Sequence, residues 1–90
     1  MLYRWMEKHN GKKVILDGYT HIVKYFEYLG SDGIPHTMIS LEPQNKNTKY
    51  YQEMKDRLGD HCSTDFKSLS DAHFVDICTQ LGITAHDMVG

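Results

Sequence analysis

Histidine and cysteine are the residue types here with the most chemistry in them: the 90-residue chain carries six histidines and two cysteines. His61, Cys62, His73, Cys78 and His86 gather in the last third, and these are zinc-ligand types. Zinc sites take such residues at tight spacings, of the Cys-x2-Cys kind, and no pair here has that form. His73 and Cys78, five apart on one expected helix, would point about 140° apart at 3.6 residues per turn. No metal site is therefore assigned. His21 and His36 fall on expected strands and could face a carboxylate such as Glu27, which is acid–base chemistry. That reading lacks a nucleophile, a base and an orienting group that support one another, so the chain is read as a non-enzyme without a cofactor. Histidines that titrate near neutrality still predict pH-dependent behaviour.

Three further segments carry partial motifs. Gly30-Ser31-Asp32-Gly33 has two glycines, but it has no Lys and its Asp repels phosphate, so it reads as a turn. His36-Thr37-Met38-Ile39-Ser40 is similar to one loose copy of the His-x-Thr pair that two-histidine phosphoesterases repeat. A single half-motif does not build that site. Ile77-Cys78-Thr79-Gln80-Leu81-Gly82-Ile83-Thr84 resembles the turn of the DNA-binding helix-turn-helix family, with a small residue, a Leu-Gly pair, an aliphatic and a Thr in register. The resemblance covers residues 71–90 and implies a recognition helix capped by Thr84. The chain departs from that pattern because Ala85–Gly90 is barely one turn and residues 71–90 hold three Asp and no Lys or Arg. DNA readers need cations to neutralise phosphate, so a plain helical hairpin is expected.

The strongest functional lead is aromatic. Tyr3, Trp5, Tyr19, Tyr25, Phe26 and Tyr28 crowd the first third. On a strand, alternation sends Tyr19, His21, Val23 and Tyr25 to one face and Ile22, Phe26 and Tyr28 to the other. Helices can cover one face, leaving the other with exposed Tyr, Trp and His, the kind of side chain in which interface energy concentrates. Charge is uneven too. Residues 1–57 hold nine Lys/Arg against seven Asp/Glu, whereas residues 58–90 hold Lys67 against five Asp. The expected function is a non-catalytic protein-binding regulator or inhibitor, by size and elimination of the antitoxin-like or phage-antagonist kind. Its partner-binding residues would be Tyr3, Trp5, Tyr19, Tyr25 and Tyr28 on the sheet, or the acidic end Asp60, Asp65, Asp71 and Asp76. The alternative is a nucleotide or single-stranded nucleic-acid binder using Arg4, Trp5, Lys12, Lys13, Lys24 and Tyr25, since bases stack on aromatic faces.

Turns and periodicity define the elements that must position these residues. Asn10-Gly11 and Asp17-Gly18 supply the positive φ of tight hairpins. They place strands at Leu2–Lys8, Lys12–Leu16 and Thr20–Leu29, with a further strand over Ile34–Leu41 starting late because Pro35 lacks a donor. Thr20–Leu29 also satisfies a helical face through Ile22, Val23, Phe26 and Leu29; flanking Gly turns and β-branched and aromatic pairs favour strand. Asn47 or Thr48 caps a helix to Leu58, stopped by Gly59, with Tyr50, Tyr51, Met54 and Leu58 on one side. Ser70 caps a second from Asp71 to Leu81, with Ala72, Phe74, Ile77, Cys78 and Leu81 as its buried stripe, and Thr84 opens a last short turn. The expected fold is one α+β domain over 1–90, strand-rich in 1–42 and helical in 47–90: an antiparallel three- or four-stranded meander followed by two helices packed on one face.

Composition sets the outer limits. With 40% apolar and 24% charged residues, the chain has the balance of a soluble domain rather than a disordered segment. No apolar run approaches the roughly 20 residues of a membrane span. The N-terminus shows no basic start followed by an apolar run, so no secretory signal is read. Two cysteines do not make a disulfide framework, which fits reduced thiols and a cytoplasmic setting. A domain this small hides only about 60% of its unfolded surface, so a thin core and an unpaired strand edge would allow a homodimer.

Overall fold

The computed structural model describes residues 3–59 and 63–88. Its centre is an antiparallel sheet in the order β1 (Lys13–Leu16), β2 (Tyr19–Leu29), β3 (Pro35–Pro43) and β4 (Thr64–Asp65). Two helices come after the long strands, α1 (Lys49–Leu58) and α2 (Asp71–Gln80), so the α+β meander expected from the sequence is the fold observed. Asp17 (φ 55°) and Gly18 (φ 82°) both take the positive φ of a tight two-residue hairpin between β1 and β2. Thr20–Leu29 is strand throughout, and β2 pairs with β3 from His21↔Pro43 to Leu29↔Pro35. Pro35 is the first residue of β3, where its missing donor does least harm.

Two segments differ from the sequence reading. Arg4–His9 is a 3-10 helix, not the first strand of a hairpin. The reason lies in Trp5 and Met6, adjacent residues that are both buried. A strand sends neighbours to opposite faces, whereas a helical turn can bury both, together with His9. Asn10-Gly11 still turns the chain, because Gly11 and Lys12 then bond to Val23 alongside β2. The second departure is between the helices. Thr64–Asp65 adds a short strand to β3 at Ser40 and Leu41, leading into a 3-10 turn at Phe66–Ser68. Two paired residues leave no periodicity to read.

The core lies on one face of the sheet. Val14, Leu16, Val23, Ile39 and Leu41 point into it, met by Trp5 and Met6 from the N-terminal turn, Phe66 from the second turn, and Ile77 and Cys78 from α2. Phe66 is fully buried and contacts Trp5, Tyr3 and Phe74. In α2 the expected stripe narrows: Ile77 and Cys78 are buried, Phe74 and Leu81 half-buried, and Ala72 exposed. Helix α1 starts at Thr48, whose hydroxyl accepts from Tyr51 N–H, and it buries Met54 but leaves Leu58 exposed. It reaches the sheet through Tyr50, which stacks on Tyr19 at 4.2 Å and bonds His21. Beyond α2, Gly82 (φ 71°) turns the chain and Ile83 enters the core. After Ile83 the described residues form a single 3-10 turn, Ala85–Asp87, and among them the recognition helix implied by the helix-turn-helix resemblance does not form.

Candidate functional site

With the helices and the N-terminal and Phe66 turns on one side, the opposite face of β2 and β3 is left uncovered. Alternation puts Ile22, Lys24, Phe26 and Tyr28 of β2 there, opposite Glu42, Ser40, Met38 and His36 of β3. At its centre Phe26 is 49%, Tyr28 46% and Met38 43% exposed. The Tyr28 and His36 rings stack at 5.5 Å, and the His36 imidazole lies 3.5 Å from the Asp32 carboxylate. The Asp32 carboxyl is held below its ordinary range by the Ile34 N–H it accepts and by His36. A groove of about 560 Å³ runs from this centre to the β4 side, lined by Tyr28, Met38, Ser40, Asp65 and Lys67 among others. Leu29 and Ile34, at the hairpin tip, extend the apolar surface.

The charges around this centre balance. Lys24 faces Glu42 at 3.9 Å across the strands. Lys13, opposite Ile22, and Asp65, opposite Ser40, add one of each sign on the same face, as do Lys67 in the groove and Asp32 beside His36. The surface is thus apolar and aromatic in the middle, charged and neutral in sum at its rim.

The site residues expected from the sequence divide between the two faces. Tyr28 lies on the open face. Trp5 does not: it is 8% exposed, packed 5.4 Å from Tyr3 and 6.3 Å from Phe66, and is a core residue rather than a stacking platform. Tyr3 is half-buried beside it, under the Lys67 ammonium at 5.3 Å. Tyr25 is half-buried on the core side, its hydroxyl donating to Glu27 at 2.8 Å, and Tyr19 is stacked on Tyr50. Among the basic residues, Arg4 is engaged by Glu27 at 3.2 Å and Lys24 by Glu42, while Lys12 and Lys13 are exposed. Asp65 adjoins the open face; Asp71 and Asp76 sit exposed on α2, on the far side of the sheet, and Asp60 lies outside the described residues. The acidic set therefore does not form one surface with the aromatic one. Phe26, Met38 and His36 carry more of the open face than Tyr3, Trp5, Tyr19 and Tyr25 do. The alternation that places Phe26 beside Tyr28 is the signal in the sequence, and the β2–β3 register supplies the partners.

His21 and His9, by contrast, are buried in the fold. His21 is fully buried; its Nδ1–H donates to the Tyr19 carbonyl at 2.7 Å and its Nε2 accepts from the Tyr50 hydroxyl at 3.0 Å. Burial pushes its pKa below the usual 6.5, against the Tyr19 bond. His9 is buried with neither ring nitrogen hydrogen-bonded among the described residues, and burial, then Lys12 and Lys8, lowers its pKa as well. His73 turns to Asp17 at 3.5 Å while Cys78 is buried, its thiol pushed up by desolvation. The two thus diverge, and His61 and Cys62 lie outside the described residues. Among the described residues no three His, Cys, Asp or Glu side chains are grouped to hold a metal ion, and no helix is long and apolar enough to cross a membrane.

Compared with known proteins, the chain matches no family model, no curated protein and no solved structure.

Proposed function

We propose that this chain is a non-catalytic protein-binding regulator or inhibitor that docks a partner protein on the open face of β2 and β3. The observation that carries the reading is the exposed cluster Phe26, Tyr28 and Met38. Protein interfaces enrich aromatic residues and Met at their centre, deplete charge there and keep a polar rim, which is the pattern of this face. Apolar side chains grouped this way mark interaction surfaces more often than scattered ones do. The nucleic-acid alternative loses support from the same geometry. Trp5 is in the core, Arg4 and Lys24 are paired with carboxylates, and the exposed Lys13 is offset on this face by Asp65, so the face lacks the cation surplus that phosphate binding requires.

The test is affinity capture from the source cells, with and without nuclease, using the parent chain, Phe26→Ser and an Asp71→Asn/Asp76→Asn pair. A stoichiometric protein that survives nuclease, is lost with Phe26→Ser and is kept by the Asn pair is the expected result. Nuclease-sensitive recovery, or a partner indifferent to Phe26→Ser, would overturn it.

A further inference from the structure

The sheet's edges differ in how their outward backbone groups are used. On β1, the Gln80 side-chain amide fills the edge: Ile15 N–H donates to its Oε1 at 2.7 Å and its Nε2 donates to the Ile15 carbonyl at 2.8 Å. On β3, β4 pairs at Ser40 and Leu41, the Lys67 ammonium donates to the Thr37 carbonyl at 2.7 Å, and Pro35 has no N–H. These are the devices that blunt a strand edge. On β2 the odd-numbered residues turn their N–H and C=O away from β3. Val23 is met by Gly11 and Lys12, and Tyr25 N–H donates to Asn10 Oδ1 at 2.9 Å. The same alternation points the backbone groups of Glu27 and Leu29 outward, and among the described residues none of them has a hydrogen-bond partner.

A groove of about 510 Å³ lies along this open edge, lined by Arg4, Glu7, Asn10, Tyr25, Phe26 and Glu27. Its charged residues are two carboxylates and one guanidinium. Arg4 is taken up by Glu27 at 3.2 Å, and Glu7 has no ion-pair partner among the described residues, so the groove is negative. Unpaired strand donors and acceptors call for an extended chain, and an unbalanced carboxylate calls for a cation.

The geometry points to an extended, basic segment of the partner protein, added as a strand beside Glu27–Leu29 with a Lys or Arg seated between Glu7 and Glu27. Alternation would send that cation to the groove and its two neighbours toward Phe26 and Tyr28 on the open face. This inference rests on the protein-binding reading and narrows its partner.

The test uses two blocked heptapeptides of Thr, one with a central Val-Lys-Val and one with Val-Glu-Val, titrated into isotope-labelled protein and followed by amide spectra and hydrogen exchange. The Lys peptide should shift and protect the Glu27 and Leu29 amides and bind roughly tenfold more tightly than the Glu peptide. Glu7→Lys, an exposed substitution, should reverse that preference. Equal response to both peptides, no response to either, or shifts confined to Phe26, Tyr28 and Met38 would overturn the edge inference. The protein-binding reading beneath it is overturned by different results, nuclease-sensitive recovery or loss of the Phe26 dependence in the capture experiment.

Discussion

The two halves of the β2–β3 hairpin are built from similar residues and put to different ends. The near half, His21–Val23 against Leu41–Pro43, is flanked by β1 and β4, and Val23 and Leu41 are fully buried. The far half, Phe26–Leu29 against Pro35–Met38, pairs among the described residues only with itself, and its large apolar side chains stay about half exposed or more. Folding free energy is therefore concentrated near the base of the hairpin. The apolar area at its tip contributes little to folding and is free for association.

The largest effect that could break this contrast belongs to Phe66. Phe66→Ala empties the middle of the core and should cost about 3–5 kcal/mol in denaturant unfolding. A cost near that of a surface substitution would mean that the near half is not the stability centre. Next comes Tyr50→Phe. It removes the hydroxyl that the buried His21 Nε2 accepts from, and an unpaired buried acceptor should cost about 1–3 kcal/mol. Hydrogen exchange should quicken in α1, which reaches the sheet through this ring.

The near half should also respond to pH. Burial lowers the folded pKa of both His21 and His9 below 6.5, so the unfolded chain binds protons first as pH falls. Stability is then fully present above about pH 6.5 and is lost as pH falls from there toward the folded pKa values. Unfolding midpoints measured across that window should drop on the acid side, and His21→Gln should flatten the slope. An unchanged slope would place the proton uptake elsewhere.

How much of this contrast is legible in the sequence depends on the length of each signal. Asp17-Gly18 and the cap Ser70 declare themselves, and Thr48 is one of two candidate caps, because turn chemistry and side-chain capping are local; Thr20–Leu29 also fits a helical face, and its flanking glycine turns and β-branched and aromatic pairs are what favour strand. Alternation alone separates Phe26 and Tyr28 from Val23 and Tyr25. Non-local contacts leave no such trace. Trp5 reads as an exposed aromatic until Phe66, sixty-one residues later, is placed against it. The Gln80 amide on Ile15 has no signature in either segment. The open edge at Glu27 is visible only after Gln80, Lys67 and Asn10 have been seen to occupy their own stretches of edge.

The smallest expected effect sharpens the comparison most. Phe26→Ser removes a large apolar side chain, yet the ring is half in solvent and only Met38 lies directly across from it. Its cost to folding should stay within about 1 kcal/mol, the range of an exposed strand position that loses some β-propensity. The same substitution removes a centre of the proposed interface, where truncation of an aromatic anchor typically costs about 2 kcal/mol or more of binding, roughly thirtyfold or more in affinity. Unfolding curves and partner affinity measured on the one variant thus separate the two roles. A variant that stays folded and fails to bind fits a tip reserved for association. If instead Phe26→Ser destabilised the chain as much as Phe66→Ala, the open face would be part of the folded core, and the distinction between the two halves would fall.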